Sequence, residues 1–270
     1  MITNTSPTDE NLRSLDGESA AYQGDAAGRH FWNSTWKNLP PFRHYQGPVF
    51  EQHPILAKYL VRTNGAAAIE IGCVPGNYMV YLNKEFGYRV DGIDYSDKLD
   101  YVRANLEYNR IFDSKLFAGD FFEFSPSEQY DLVFSGGFVE HFDDYELVVR
   151  KHAELAKRGG TVVIFLPNLA YLHKCLSWLF ARDTLRVHRL QLMDKTRLRR
   201  TLEKAGLQVL HCDYHRTFRP TYELPKLVNW ISRAIQKTLR VCHLDNIGNR
   251  FASPYLISVS VKRTIGAGER

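Results

Sequence analysis

The stretch Ala67–Leu82, "AAIEIGCVPGNYMVYL", decides the reading of the fold. Its first five residues form a short apolar run, as a buried strand would. Two glycines follow, and then apolar residues recur at helical spacing. Strand, tight turn and helix is the order this pattern predicts. Gly72 and Gly76 allow backbone conformations or close approaches that a Cβ would obstruct. In folds built from parallel strands, the loops at the strand ends hold the ligand. Hence the loop from Gly72 to Gly76 is the first place to look for a site.

The segments on either side repeat the alternation. "NYMVYLNKEFG" reads as a helix closed by Gly87. "RVDGIDYS" is a strand ending in an acid, Asp94, and "DKLDYVRANLEYN" is a helix with Asp97 near its start. "KLFAGDFF" is strand and turn, and "YDLVFSGGF" is a buried strand. "DDYELVVRKHAELAKRGG" is a helix with a glycine stop, and "TVVIFLPN" is a strand. Further on, "DKTRLRRTLEKAG" is a helix with Leu198, Leu202 and Ala205 on one side, and "LQVLHCDYH" is a strand. "PYLISVSVKR" is a final strand whose alternation suits a half-exposed position. Strands alternating with helices at this spacing predict an α/β fold, its mostly parallel sheet covered on both faces.

Residues 1–28 are polar and read as a flexible tail. Residues 29–64 carry aromatics among prolines, a poor regular helix but a plausible cover for a pocket, followed by a first helix with Pro54 in its opening turn. Residues 65–264 form the main domain, with helical insertions at about 169–194 and 219–250. The chain of 270 residues, with 44% hydrophobic content, can bury a sizeable core. Its net charge of +5 is too mild for a dedicated nucleic-acid binder. Cys73, Cys175, Cys212 and Cys242 are far apart, so neither a disulfide framework nor a zinc spacing is expected. No secretory leader is visible, and "LAYLHKCLSWLF" is too short to span a bilayer. A soluble cytoplasmic protein is the expectation.

An acid at the end of the second strand can accept both hydroxyls of a ribose. A dinucleotide fits poorly, because G-x-G-x-x-G is absent, with Val74 where the second glycine would stand. An NAD-linked oxidoreductase therefore ranks last. No GK[ST] follows the loop, so there is no P-loop either.

"EIGCVPGN" instead resembles motif I of the class I S-adenosylmethionine-dependent methyltransferases, of form [DE]-x-G-x-G-x-G. Glu70, Gly72 and Gly76 match that form, and Val74 departs from it. "VDGIDYS", "LFAGDFFEF", "YDLVFSGGFVEHFDD" and "LAKRGGTVVIFLPN" resemble the family's following segments, in order and at its spacing. The resemblance implies a seven-stranded Rossmann-like sheet and S-adenosylmethionine as cofactor, with S-adenosylhomocysteine as product. It implies cofactor contacts from Glu70, Gly72, Cys73, Gly76, Asn77, Asp94, Tyr95, Ser96, Ser135 and Gly136. It further implies that Asp120 meets the adenine amino group and Phe121 flanks the ring. At Val74 two outcomes stay open. The side chain packs behind the loop and binding survives, or it crowds the methionine moiety.

The sulfonium is already an electrophile, so alignment carries much of the task and no triad or metal site need be visible. His141 and His188 are the candidate catalytic residues, each as a pocket base or as a loop-fixing histidine. Asp143 and Asp144 read as a helix cap. Trp32, Trp36, Phe42 and Tyr45 could form an aromatic lid or simply pack an N-terminal arm. Trp32, Trp36, Tyr45, Gly137 and Tyr171 are the candidate acceptor contacts. The helix "KLVNWISRAIQKTLR" reads as a packed helix with a solvated charge face, the alternative being an anionic surface. No N/D-P-P-Y/W motif of nucleic-acid amino-methylating enzymes follows the fourth strand. The expected function is methyl transfer to an oxygen or nitrogen of a small-molecule, secondary-metabolite type acceptor. The alternatives are a catalytically silent partner-binding subunit and an S-adenosylmethionine-dependent enzyme of non-methylating chemistry. Oligomeric state is not legible.

Overall fold

The computed structural model describes residues 24–48, 50–220 and 224–263. Most of the expected tail lies outside them. Seven strands form one sheet: β1 (Ala67–Ile71), β2 (Arg89–Asp94), β3 (Leu116–Ala118), β4 (Tyr130–Gly136), β5 (Ala156–Pro167), β6 (Leu207–His215) and β7 (Tyr255–Lys262). Their spatial order is β3-β2-β1-β4-β5-β7-β6. β1 to β5 pair in parallel, and β7 runs antiparallel between β5 and β6. The fold class is the α/β, Rossmann-like one read from the sequence.

Helices cover both faces: α1 (Gly28–Thr35), α2 (His53–Tyr59), α3 (Asn77–Phe86), α4 (Leu99–Tyr108), α5 (Tyr145–Leu155), α6 (Tyr171–Phe180), α7 (Arg182–Arg186), α8 (Lys195–Lys204) and α9 (Lys226–Val241). Side chains of a strand point alternately to its two faces. In β1, Ala67, Ile69 and Ile71 enter one core cluster with Val148 and Val149 of α5 and Leu198 and Leu202 of α8. Ala68 enters the other, with Leu56 of α2, Leu82 of α3 and Val102 of α4. Burial at roughly 1.5–3 kcal/mol per large apolar side chain holds both layers to the sheet.

Local signals set most boundaries. Gly87 ends α3 in the left-handed conformation at φ +75°. Asp144 caps α5, accepting from the Leu147 amide at 2.9 Å, as the cap reading expected. Asp194 caps α8 through the amides of Thr196 and Arg197, at 3.0 Å each.

Several expectations are corrected. "GRHFWNST" forms the helix α1 rather than an irregular arm. α5 ends at Leu155, before the expected glycine stop, and the glycines fall inside β5. A Cβ on Gly160 would stand 2.8 Å from the Lys157 carbonyl oxygen, so this glycine serves a close backbone approach. β7 is buried along its centre rather than half-exposed, because it lies between β5 and β6. α9 is not packed by an apolar face: Leu227, Trp230, Ile231 and Ile235 are exposed and Ser232 is buried. Residues 24–28 are not free tail. The Asp143 amide donates to the Gly24 carbonyl at 2.9 Å, and the Ala26 amide to the His141 carbonyl at 2.9 Å. No helix among the described residues is long and apolar enough to cross a membrane.

Candidate functional site

Chain order reverses between β1 and β4, which makes their C-terminal ends the crevice where such sheets hold ligands. Register levels those ends. Ile71 pairs with both Ile93 and Ser135, so Gly72, Asp94 and Gly136 follow side by side. A cavity of about 410 Å³ opens there. Glu70, Gly72, Val74, Asn77, Asp94, Tyr95, Gly136 and Gly137 form its floor, and Phe31, Trp32, Trp36, Phe50, His141 and His188 close it from above. A narrower cavity of about 30 Å³ adjoins it, lined by Tyr95, Asp120, Phe121, Phe122, Phe138 and Phe142.

Asp94 holds the first loop. Its Oδ2 accepts from the Val74 amide at 3.2 Å and its Oδ1 from the Ser96 amide at 2.9 Å. Burial raises the Asp94 carboxyl, and these loop amides oppose the rise. Gly72 stands at φ +70°, and a Cβ there would lie 2.9 Å from Phe138 Cδ2. Glu70 is buried with Oε2 lacking a hydrogen-bond partner among the described residues. Burial raises its carboxyl strongly, against a hydrogen bond from the Met79 backbone. Val74 belongs to the core cluster behind the loop while also forming part of the cavity wall.

Over this floor lies the N-terminal segment. Asp25 Oδ2 accepts from the Tyr95 hydroxyl at 2.6 Å. Trp32 meets the His141 ring edge-on at 4.9 Å and stacks with Trp36 at 6.3 Å. On the far wall Phe50 stacks on Tyr78 at 4.1 Å.

The turn Val139–His141 carries the polar part of the wall. His141 Nδ1 lies 2.6 Å from the Val187 carbonyl oxygen, and His188 Nδ1 lies 2.5 Å from that of Thr184. A carbonyl can only accept, so each ring donates from Nδ1 and keeps its Nε2 lone pair when neutral. Both are held neutral. Burial lowers His141 to about 4, with the Arg189 charge adding to it and the Val187 and Gly137 carbonyls opposing. His188 is lowered to about 3, by burial first and then by His141. The two rings lie 4.5 Å apart. Beside them Glu140 is fully buried, with neither carboxyl oxygen hydrogen-bonded among the described residues. Its Oε1 is 3.9 Å from His141 Nε2, and burial pushes its carboxyl up to about 8.

The site therefore gathers Glu70, Gly72, Asn77, Asp94, Tyr95, Gly136, Gly137, His141, His188, Trp32 and Trp36 around one cavity, and Asp120 and Phe121 around its neighbour. Other candidates stand outside both. Cys73 is buried in the core, where its Sγ fills the space beside Gly92. Gly76 forms the left-handed start of α3 against Val102, and the Ser96 amide serves Asp94. Ser135 is hydrogen-bonded to His152 Nε2 at 3.0 Å inside the core. Tyr45 donates to Glu85 at 2.8 Å, and Phe42 packs on Tyr101, so neither forms part of the lid. Tyr171 is exposed and packs against Phe251. Sequence reading missed Phe31, Phe50, Tyr78, Phe138 and Glu140. Glu140 stands beside His141 in "VEHFDD", and its burial was the missing signal.

A family model described as a methyltransferase domain matches residues 42–212, more than half of the chain. Among curated proteins the chain is similar to (S)-coclaurine N-methyltransferase of Papaver somniferum, 23% identical over 43% of this chain and 32% of that protein. It is similar also to ajmaline N-methyltransferase of Rauvolfia serpentina, 27% identical over 40% of this chain and 37% of that one. These matches span about a third of the relatives' length. Solved structures share the fold. An S-adenosylmethionine-dependent methyltransferase from Mesorhizobium loti superposes with TM-score 0.54 at 16% identity, over 79% of this chain and 98% of that one. The [4+2]-cyclase SpnF superposes with TM-score 0.58 at 14% identity, over 87% and 92%. The chain belongs to the class I methyltransferase family, whose cofactor is S-adenosylmethionine.

Proposed function

We propose that this chain transfers a methyl group from S-adenosylmethionine to a nitrogen of a small-molecule acceptor, with oxygen as the second choice. One observation carries the reading. A single cavity joins the motif floor of Glu70, Gly72, Asn77 and Asp94 to an aromatic roof of Phe31, Trp32 and Trp36. Its size falls in the range of small-molecule sites.

The floor suits the cofactor. Asp94 lines the cavity at the end of β2 while the Val74 and Ser96 amides hold its carboxylate in place, the position from which an acid accepts ribose hydroxyls. The unpartnered oxygen of Glu70 is a natural acceptor for an ammonium group. Asp120 and Phe121 line the narrower cavity that adjoins this floor, a polar group and a ring at the edge of the space open to the adenine. When bound, the cofactor supplies an electrophilic methyl on sulfur. The protein's own task is then to hold the acceptor in line and to exclude water.

The roof suits an amine. Indole faces attract cationic nitrogen, and the neutral His141 and His188 rings can accept a hydrogen bond from it. The (S)-coclaurine and ajmaline relatives both bear the name N-methyltransferase, which favours nitrogen over oxygen.

The test is calorimetric titration with S-adenosylmethionine and S-adenosylhomocysteine, then turnover over a panel of secondary amines, tertiary amines and phenols. Binding followed by methylation of amines is the expected result. Absence of binding to either cofactor form would favour a catalytically silent subunit. Binding without methylation across the panel would favour non-methylating chemistry.

A further inference from the structure

We propose that Glu140, His141 and His188 bind one divalent transition-metal ion in the wall of the acceptor cavity. One candidate ligand atom from each of the three lies within 4.8 Å of the others. Both imidazoles are already oriented as metal ligands commonly are. Each gives its Nδ1 proton to a backbone carbonyl, Val187 for His141 and Thr184 for His188. That bond fixes the tautomer and leaves Nε2 as the ring nitrogen open to an ion. The third member is the independent observation. Glu140 is fully buried, forms part of the cavity wall, and has no hydrogen-bond partner on either oxygen among the described residues. An unpartnered buried carboxyl is costly, and a cation beside it removes that cost.

The donor set selects the ion. Two imidazoles and one carboxylate suit Zn²⁺, Co²⁺, Fe²⁺ or Mn²⁺ better than Mg²⁺ or Ca²⁺, which prefer all-oxygen shells. Around a four-coordinate ion with bonds of ~2.05 Å, ligand atoms stand roughly 3.3 Å apart. The widest pair must therefore draw in by at most roughly 1.5 Å from the observed spacing. His188 can supply that movement, since it lies between α7 and the turn Leu190–Met193 and is only partly buried. Three protein ligands leave a position open toward the cavity, where an acceptor nitrogen or oxygen could bind. This last role rests on the methyl-transfer reading, whereas ion binding does not.

The experiment uses the full chain, stripped with a chelator and dialysed. It is titrated with Zn²⁺ by calorimetry and with Co²⁺ by visible absorption, beside Glu140→Gln and His188→Asn. Far-ultraviolet circular dichroism and the unfolding midpoint of each stripped variant check that it is folded. The expected result is one tight ion per wild-type chain, an intense Co²⁺ band of low-coordinate type, and binding weakened by at least ~100-fold in either variant. Wild-type affinity for Zn²⁺ in both folded variants would overturn the proposal, because the ion would then sit on exposed histidines. A chain that binds S-adenosylhomocysteine but neither ion would also overturn it and leave the methyl-transfer reading standing. Metal binding without cofactor binding would do the reverse.

Discussion

Asp94 gives the sharpest test of how the loop works. Its carboxylate serves two masters in the proposed complex, the loop amides of Val74 and Ser96 and the ribose hydroxyls. Asp94→Ala removes both services, so lost affinity would not say which one failed. Asp94→Asn separates them. The amide keeps one acceptor oxygen and leaves one loop N–H unsatisfied, at about 1–3 kcal/mol. It also removes a buried charge, and the raised carboxyl shows that this charge is disfavoured where it stands. The two effects oppose each other, so the cofactor-free protein should stay within about 2 kcal/mol of wild type. Affinity should fall much further, because hydrogen bonds to a charged acceptor contribute about 1.5–3 kcal/mol each. Losing one such bond should weaken S-adenosylhomocysteine by about one to two orders of magnitude in Asp94→Asn. Losing both should weaken it by about two to four orders in Asp94→Ala. Urea denaturation of the cofactor-free chains and calorimetric titration measure the two quantities separately. A folded Asp94→Asn chain that binds within twofold of wild type would refute the ribose assignment.

Three further outcomes follow from particular contacts. Gly136→Ala would place a Cβ 2.5 Å from Phe165 Cε1. A loss of about 1–3 kcal/mol is expected in urea denaturation, and an unchanged midpoint would mean the ring yields freely. His152 is fully buried and lowered to about 4 by burial, against the Val148 carbonyl. The unfolded chain takes up this proton below about pH 6.5 and the folded chain only near 4, so stability falls as pH drops through that window. The fall should reach roughly 2 kcal/mol at pH 5 and ~3 kcal/mol at pH 4. His152→Gln should flatten that part of the denaturation profile, and identical profiles would exclude the group. Asp25→Ala removes the acceptor of the Tyr95 hydroxyl and of the Ala27 amide. Stopped-flow mixing should then show S-adenosylhomocysteine associating and dissociating roughly tenfold faster, as loss of one charged hydrogen bond allows. Unchanged rates would show that the segment does not gate the cavity.

Much of the site was legible because its floor is built from one continuous stretch and its immediate neighbours. Gly72, Asn77 and Asp94 stand at strand ends, and the register of β1 with β2 and β4 brings them level. Candidates drawn from flanking positions fared less well. Cys73, Ser96 and Ser135 lie within a residue or two of cavity residues yet face the core or the loop backbone. A single step along a strand reverses the direction of the side chain. The arm shows the same limit. Trp32 lies in α1 and Trp36 just past its end, one helical turn on, and both line the cavity. Tyr45 and Phe42, beyond the prolines, are drawn off to α3 and α4.

The sequence by itself determined the alternation of strands and helices, the glycine turn at Gly72, the cap at Asp144, and the stop at Gly87. These are local properties, since periodicity, capping and positive φ act over a few neighbouring residues. Only the tertiary structure decided that Glu140, His141 and His188 converge, that Asp25 reaches Tyr95, and that β7 is buried between β5 and β6. His141 and His188 are brought together by a connection that wraps β5, α6 and α7 back over the crevice. Burial then fixes their protonation and leaves Glu140 without a partner among the described residues. Solvent exclusion at one point depends on every element packed around it, and no short stretch of sequence carries that information.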